Sequence, residues 1–433
     1  MKETKFKQTE VGMIPSDWMC RSLGELCKVQ NGYAFRSEKF ATLGNTVIRI
    51  SDIEDSKVSL KNTVKYPLSE QIPNQFVVRK GNFLIAMSGA TTGKIGLYEN
   101  ANPALINQRV GRFDVTKKEE LEPIFLFHLL RGDIFTSFLQ ESLATGAQPN
   151  ISGKQIESCK IPLPSTIEEQ QRIANALSDV DTLIANLEKL IAKKKNIKQG
   201  AMQQLLTGKK RLPGFAPAKQ TYKQTELGQI PTDWEFVPVS ELAKDMADGP
   251  FGSNLKKEHY TSDPQARIIQ LSNIGENGWE DENTKYTTFE HAKTIARCIV
   301  PKEESILVAK MMPAGRAIIC PKIEKQYVLG SDVIRITANE KLNSKYFVYA
   351  SKSDVYLKQI SDNTQGSTRQ RTSISKLRKI LILLPSLDEQ TAIANILSDM
   401  DTEIATLETK LAKYRTLKTG MMQQLLTGKI RLL

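Results

Sequence analysis

The chain has 433 residues, with 60 Lys plus Arg against 48 Asp plus Glu (net charge +12), 40% hydrophobic and 25% charged residues. At about 150 residues per domain this length implies two to four folded units, and the composition is that of a folded protein, neither disordered nor fibrous. Three scattered histidines (His128, His259, His291) and five cysteines without a Cys-x-x-Cys pair leave little material for a histidine metal cluster or a disulfide framework, while the basic balance favours a polyanionic partner.

The first residues, MKETKFKQTE, contain no apolar signal core, and the longest aliphatic runs, such as Ile380 to Leu384, fall far short of the roughly 20 residues of a membrane span. A reducing cytoplasm is the expected location. Along the chain, Lys7 to Trp18 (KQTEVGMIPSDW) recurs as Lys223 to Trp234 (KQTELGQIPTDW), identical at nine of twelve positions. Ile167 to Leu212 recurs as Leu387 to Leu432, identical at 28 of 46 positions, including MQQLLTGK. The chain therefore divides into a variable region (1–165), a repeated segment (166–212), a second variable region (213–385) and a second repeated segment (386–433), with net charges of +4, +4, +4 and 0.

In the first variable region, β-like runs (Val47 to Ile50, Phe83 to Met87) alternate with turns and a helical patch, Ile124 to Leu130, which predicts a mixed α/β domain with prominent loops. Asn31 to Arg36 is an early loop whose Phe35 reads as core and whose Arg36 is a candidate nucleic-acid contact. Ser88 to Lys94 offers the hydroxyls of Thr91 and Thr92 and the cation of Lys94, yet it fails as a phosphate loop. Gly89 and Gly93 enclose three residues where a Walker loop has four, and Ile95 stands where a magnesium-binding hydroxyl belongs. A plain hairpin turn stays open as its reading. Further on, Gln148, Asn150 and Lys154 are candidates because Gln and Asn can pair bidentately with adenine.

The first repeated segment follows Pro164 and opens with Thr166-x-x-Glu169, a capping-box pattern matched by Ser386-x-x-Glu389 in the second. Apolar residues then step by four and three: Ile173, Leu177, Val180, Ile184, Leu187 and Ile191, and in the second copy Ile393, Leu397, Met400, Ile404, Leu407, Leu411 and Tyr414. This predicts two long helices forming an antiparallel coiled coil, each ended by a glycine cap at Gly208 or Gly428. Gly200 and Gly420, inside the helices, predict a close backbone approach, since glycine there costs about 1 kcal/mol against alanine.

The second variable region repeats the pattern with β-like runs at Ile268 to Leu271, Ile306 to Val308 and Val333 to Ile336. Its candidate contacts are Lys256 in Asp248 to Lys256 (DGPFGSNLK), Lys310, Arg316 as the counterpart of Lys94, and Thr368, Arg369, Gln370 and Arg371 in a polar loop facing the first region's 146–150. Solvated polar loops remain the plain alternative for each. The predicted fold class is α+β: two mixed α/β domains separated by two long helices, with a pseudo-twofold internal repeat. No Gly-rich S-adenosylmethionine loop and no Asn/Asp-Pro-Pro-aromatic motif occurs.

The opening TELGQIPTDW-like phrase, DGPFGSNLK, the Gly-x-x-x-Gly-Lys loop and a proline-ended strand entering a Glu-Gln helix (IPLPSTIEEQ, LLPSLDEQ) together resemble the specificity subunit of type I DNA restriction-modification systems over essentially the whole chain. The resemblance implies a non-catalytic subunit with two target-recognition domains, each reading one half of a bipartite site on double-stranded DNA. It also implies that the helices act as spacer and docking surface for two modification (adenine methyltransferase) subunits, joined by restriction subunits. S-adenosylmethionine, ATP and Mg2+ would then belong to those partners, with no cofactor on this chain. The competing reading of the same pattern is a coiled-coil adaptor with two peptide-binding domains.

Overall fold

A computed structural model describes residues 5–54, 56–144, 149–216, 219–250, 252–301, 304–364 and 371–433. The chain forms two compact units, one of residues 1–188 with 409–433, the other of residues 189–408. Each unit thus takes one variable region, the near half of one long helix and the far half of the other.

In the first unit a five-stranded sheet runs in the order Cys27–Asn31, Val110–Val115, Phe83–Ala86, Ile95–Leu97, Ser56–Lys57. A four-stranded sheet (Val64–Tyr66, Asn45–Ile48, Ala104–Ile106, Val77–Val78) covers part of it, and Leu84, Ala86, Ile48, Tyr98 and Ile106 are buried together. The other side of Phe83 and Ile85 packs on the helices Pro123–Leu129 and Asp133–Leu143. The second unit repeats this plan. Its four-stranded sheet is ordered Ala243–Asp248, Val333–Ala338, Ser305–Ala309, Ala317–Ile319, and its five-stranded sheet Tyr260–Thr261, Tyr286–Thr287, Ala266–Ile269, Tyr327–Leu329, Ile299–Val300. The helices Ser344–Ala350 and Asp354–Thr364 take the places of the first unit's pair. The predicted strands are present with ends shifted by one or two residues; Leu271 instead opens a short 3-10 turn, Leu271–Asn273, as Ile50–Asp52 does in the first unit.

The two long helices span Ile167–Leu205 and Leu387–Leu425, 39 residues each and so about 58 Å long. They pack together antiparallel in both units. In the first, Asp181 pairs with Lys418 (2.5 Å) and Glu188 with Arg415 (2.6 Å); in the second, Lys194 pairs with Glu403 (2.6 Å), Lys195 with Glu408 (2.7 Å) and Lys198 with Asp401. The apolar seam closes at the predicted positions. Ile173, Leu177, Val180, Ile191, Ile393, Leu397 and Ile404 are buried, and the remaining seam residues are half-buried. Each variable region's core takes in the start of its own helix and the end of the other. Ile173 and Leu177 lie with Leu425 and Leu426 in the first core, and Ile393 and Leu397 lie with Leu205 and Leu206 in the second.

Two sequence expectations are corrected here. A Cβ at Gly200 or Gly420 would meet nothing within 4 Å, so neither glycine serves a close approach. The close approach lies one turn beyond each helix. Gly208 (φ 68°) and Gly428 (φ 70°) hold the left-handed cap, and a Cβ there would come within 2.4 Å of Pro231 or 2.5 Å of Pro15. The capping boxes are half formed. Thr166 and Ser386 each accept the amide of the third helical residue at 3.3 Å, but the glutamates do not return to the cap. Glu169, 2% exposed, receives the indole N–H of Trp18 (3.3 Å) and the fork of Arg431; Glu389, 1% exposed, receives Trp234 (3.2 Å) and Arg211.

Candidate nucleic-acid interface

Thr91, Thr92, Lys94 and Asn150 lie where strands of the first variable region end in loops, while Arg36 and Lys256 lie on separate turns. In the first unit the strand Phe83–Ala86 runs into the turn Gly89–Thr91, and Ser88 forms a β-bridge with Asn150. The turn is closed from inside. The hydroxyl of Thr91 donates to the carbonyl of Ile50 (3.2 Å), and that of Thr92 to the carbonyls of Gly89 (2.6 Å) and Pro149 (3.2 Å). These threonines shape the loop, while Lys94, Asn150 and Lys154 are exposed along its rim. Lys154 stands in the first turn of the short helix Gly153–Ser158, capped by Ser152, whose hydroxyl accepts the amide of Gln155. Arg36 is exposed on a separate loop, just before the turn Ser37–Lys39. Phe35 beneath it packs edge-on to Tyr66 at 4.7 Å and to Tyr33 at 5.0 Å.

The second unit places Arg316 where Lys94 stands. The amide of Ala86 donates to the carbonyl of Lys94 (3.0 Å), and the amide of Ala309 to that of Arg316 (2.8 Å). Arg316 is half-buried, and its guanidinium donates to the carbonyl of Ile274 at 3.3 Å. Lys256 is exposed beside Glu258 (3.6 Å), on a turn whose amide donates to His259; the His259 ring stacks on His291 at 3.9 Å.

Lys310 departs from the expectation of an exposed contact. It is 6% exposed, and its ammonium is held by Asp248 (3.3 Å) and the carbonyl of Ser331 (2.8 Å), in the position that buried Met87 occupies in the first unit. Arg371 is exposed and pairs with Asp332 at 2.8 Å. Gln148, Thr368, Arg369 and Gln370 lie outside the described residues. Sequence reading passed over Arg109 and Asp332. Each directly precedes a central strand, at Val110 and Val333, and the shared basic-or-acidic residue before Val was the only available signal.

Among the described residues no group of three or more His, Cys, Asp or Glu is placed to hold a metal ion, and no helix is long and apolar enough to cross a membrane. Burial pushes the thiols of Cys27, Cys159 and Cys320 up to about 12, so they stay protonated.

The model of the type I restriction modification DNA specificity domain matches the chain twice, at residues 15–199 and 231–413. The chain belongs to this family. A protein of Methanocaldococcus jannaschii described as the type I restriction enzyme MjaX specificity subunit is 30% identical over 99% of this chain and 97% of its own length. The MjaVIII specificity subunit of the same organism is 25% identical, with the same coverage, and the EcoBI specificity subunit of Escherichia coli is 22% identical over 96% of this chain and 87% of its own. The crystal structure of the type I restriction-modification S subunit from M. genitalium has the same fold, with a TM-score of 0.60 at 17% identity over 98% of both chains. This specificity subunit is accordingly a non-catalytic member of its system. The matched segments each begin within the phrase ending at Trp18 or Trp234 and end within a long helix.

Proposed function

We propose that this specificity subunit binds a bipartite, asymmetric site on double-stranded DNA, with residues 1–165 reading one half and residues 213–385 the other, while segments 166–212 and 386–433 space the readers. The observation that carries this reading is one scaffold built twice, with the buried strands kept and the exposed polar and cationic residues at the loop ends changed. Lys94 faces solvent where Arg316 is half-buried, and Asn150 is replaced by Arg371. Cations at such rims supply phosphate affinity, and amide and guanidinium side chains supply base contacts in the major groove. Two readers joined in the chain by long helical segments suit half-sites separated by unread base pairs.

The repeated segments present similar side chains twice, which suits two copies of one adenine methyltransferase subunit, with restriction subunits completing the complex. S-adenosylmethionine, ATP and Mg2+ then act in those partners, and the work takes place on DNA in the cytoplasm. Sequencing of methylated adenines in a host that carries this chain with its methyltransferase partner tests the reading. A two-part sequence with a fixed gap is expected; methylation without sequence selection would overturn it and favour the adaptor reading.

A further inference from the structure

The two readers carry the same three strand ends in the same hydrogen-bonded order. In the first, the amide of Met87 donates to the carbonyl of Arg109 (2.9 Å), and the amide of Ile151 donates to the carbonyl of Met87 (2.9 Å). In the second, the amide of Lys310 donates to Asp332 (2.8 Å), and the amide of Thr372 to Lys310 (2.8 Å). Arg109 is therefore the backbone counterpart of Asp332, and Asn150 that of Arg371.

The residues following these positions form a buried floor: Val110 is 0% and Ile151 1% exposed, as Val333 is 0% and Thr372 1%. Above that floor, Arg109 and Asn150 are exposed in the first reader. In the second, the Arg371 Nη2 lies 2.8 Å from Asp332 Oδ1, which shows that side chains at these two positions reach each other. A rigid floor bearing two adjacent side chains of different chemistry in each copy is what discrimination between base pairs needs: precise placement with exchangeable tips.

We infer that Arg109 with Asn150, and Asp332 with Arg371, are the side-chain pairs that select a base pair in each half-site. The inference rests on the DNA-recognition reading above. Arg109 offers a two-donor fork for the O6 and N7 of guanine, and Asn150 an amide for the N6 and N7 of adenine. In the second reader Asp332 lies within ion-pair distance of one Arg371 nitrogen, and the Arg371 guanidinium carries further N–H donors that suit guanine, so this pair selects guanine. Bidentate pairs of this kind discriminate on the order of tenfold to a hundredfold between bases.

The test uses the full chain coexpressed with its methyltransferase partner, with methylated adenines mapped by sequencing. Arg371→Ala is expected to relax one position in one half-site, raising methylation of sites mismatched there at least tenfold relative to the wild type, with the other half and the gap unchanged. Asp332→Asn, which keeps the side-chain volume, should weaken preference at that same position, and Arg109→Ala should relax a position in the other half. An Arg371→Ala complex that keeps the wild-type site, or loses methylation evenly over all sites, overturns the inference, as does relaxation by Asp332→Asn at a different position. Arg371→Gln provides the same reading if the alanine variant fails to fold. If the wild-type complex itself methylates no two-part sequence, the recognition reading fails first.

Discussion

Arg431 donates from Nε and Nη2 to both carboxylate oxygens of Glu169, at 2.5 and 2.8 Å, across 262 residues of chain. The same fork holds Asp17 at 2.9 Å and lies over the ring of Trp18, and its hydrogen bond keeps the Asp17 carboxyl below the usual carboxylate range. Arg211 does the same with Glu389, Asp233 and Trp234 in the other unit. The end of each repeated segment is thereby fastened to the variable region that precedes the other one.

Arg431→Ala leaves the buried Glu169 carboxylate with the Trp18 indole N–H but without its cation, and breaking such an ion pair costs about 3 to 5 kcal/mol. Arg431→Lys recovers only part, because an ammonium cannot satisfy both carboxylates in the plane of a fork. Arg211→Ala should lower the stability of the second unit in the same way. Denaturant unfolding monitored by tryptophan fluorescence checks this, since Trp18 and Trp234 are the indoles in contact with the two arginines.

Gly200→Ala and Gly420→Ala should each stabilise the chain by about 1 kcal/mol, since a Cβ there meets open space and helical glycine is penalised in the unfolded comparison. Gly208→Ala and Gly428→Ala should destabilise, because both φ values are positive and Pro231 or Pro15 occupies the Cβ position. Paired thermal melts of the four variants separate the two kinds of glycine.

His128, 1% exposed, has Nε2 at 3.0 Å from Ser178 Oγ and Nδ1 at 3.9 Å from Asp181, and burial lowers its pKa to about 4. The unfolded chain takes up this proton near pH 6.5 while the folded chain resists until about pH 4, so stability falls as the pH drops through that window. The loss by pH 5 is about 2 kcal/mol relative to pH 7. Tyr349 stands at the corresponding place in the second unit and donates to Asp401 at 2.8 Å. His128→Tyr should therefore flatten this pH dependence, measured as the difference in unfolding free energy between pH 7 and pH 5.

The repeats, the two helices and their seam were legible because coiled-coil geometry writes a period into the chain, and because Ile173, Leu177, Ile393 and Leu397 serve the same packing in both copies. Gly200 and Gly420 misled because recurrence marks common ancestry of the repeats as well as shared function. Glu169 and Glu389 read as local caps since a capping box is a short-range pattern; their long-range partners, Arg431 and Arg211, lie beyond any window of local sequence. Lys310 looked like a surface cation, and only the strand pairing places it where Met87 is buried. Arg109 and Asp332 escaped because the variable regions share a backbone without a common offset between side chains.

Two independent readers share one chain. The most direct measurement replaces residues 1–165 with the corresponding region of a relative that recognises another sequence, then maps methylated adenines in the reconstituted complex. A change in one half of the recognised site is expected, with the other half and the gap retained. A change in both halves together, or in neither, would contradict it.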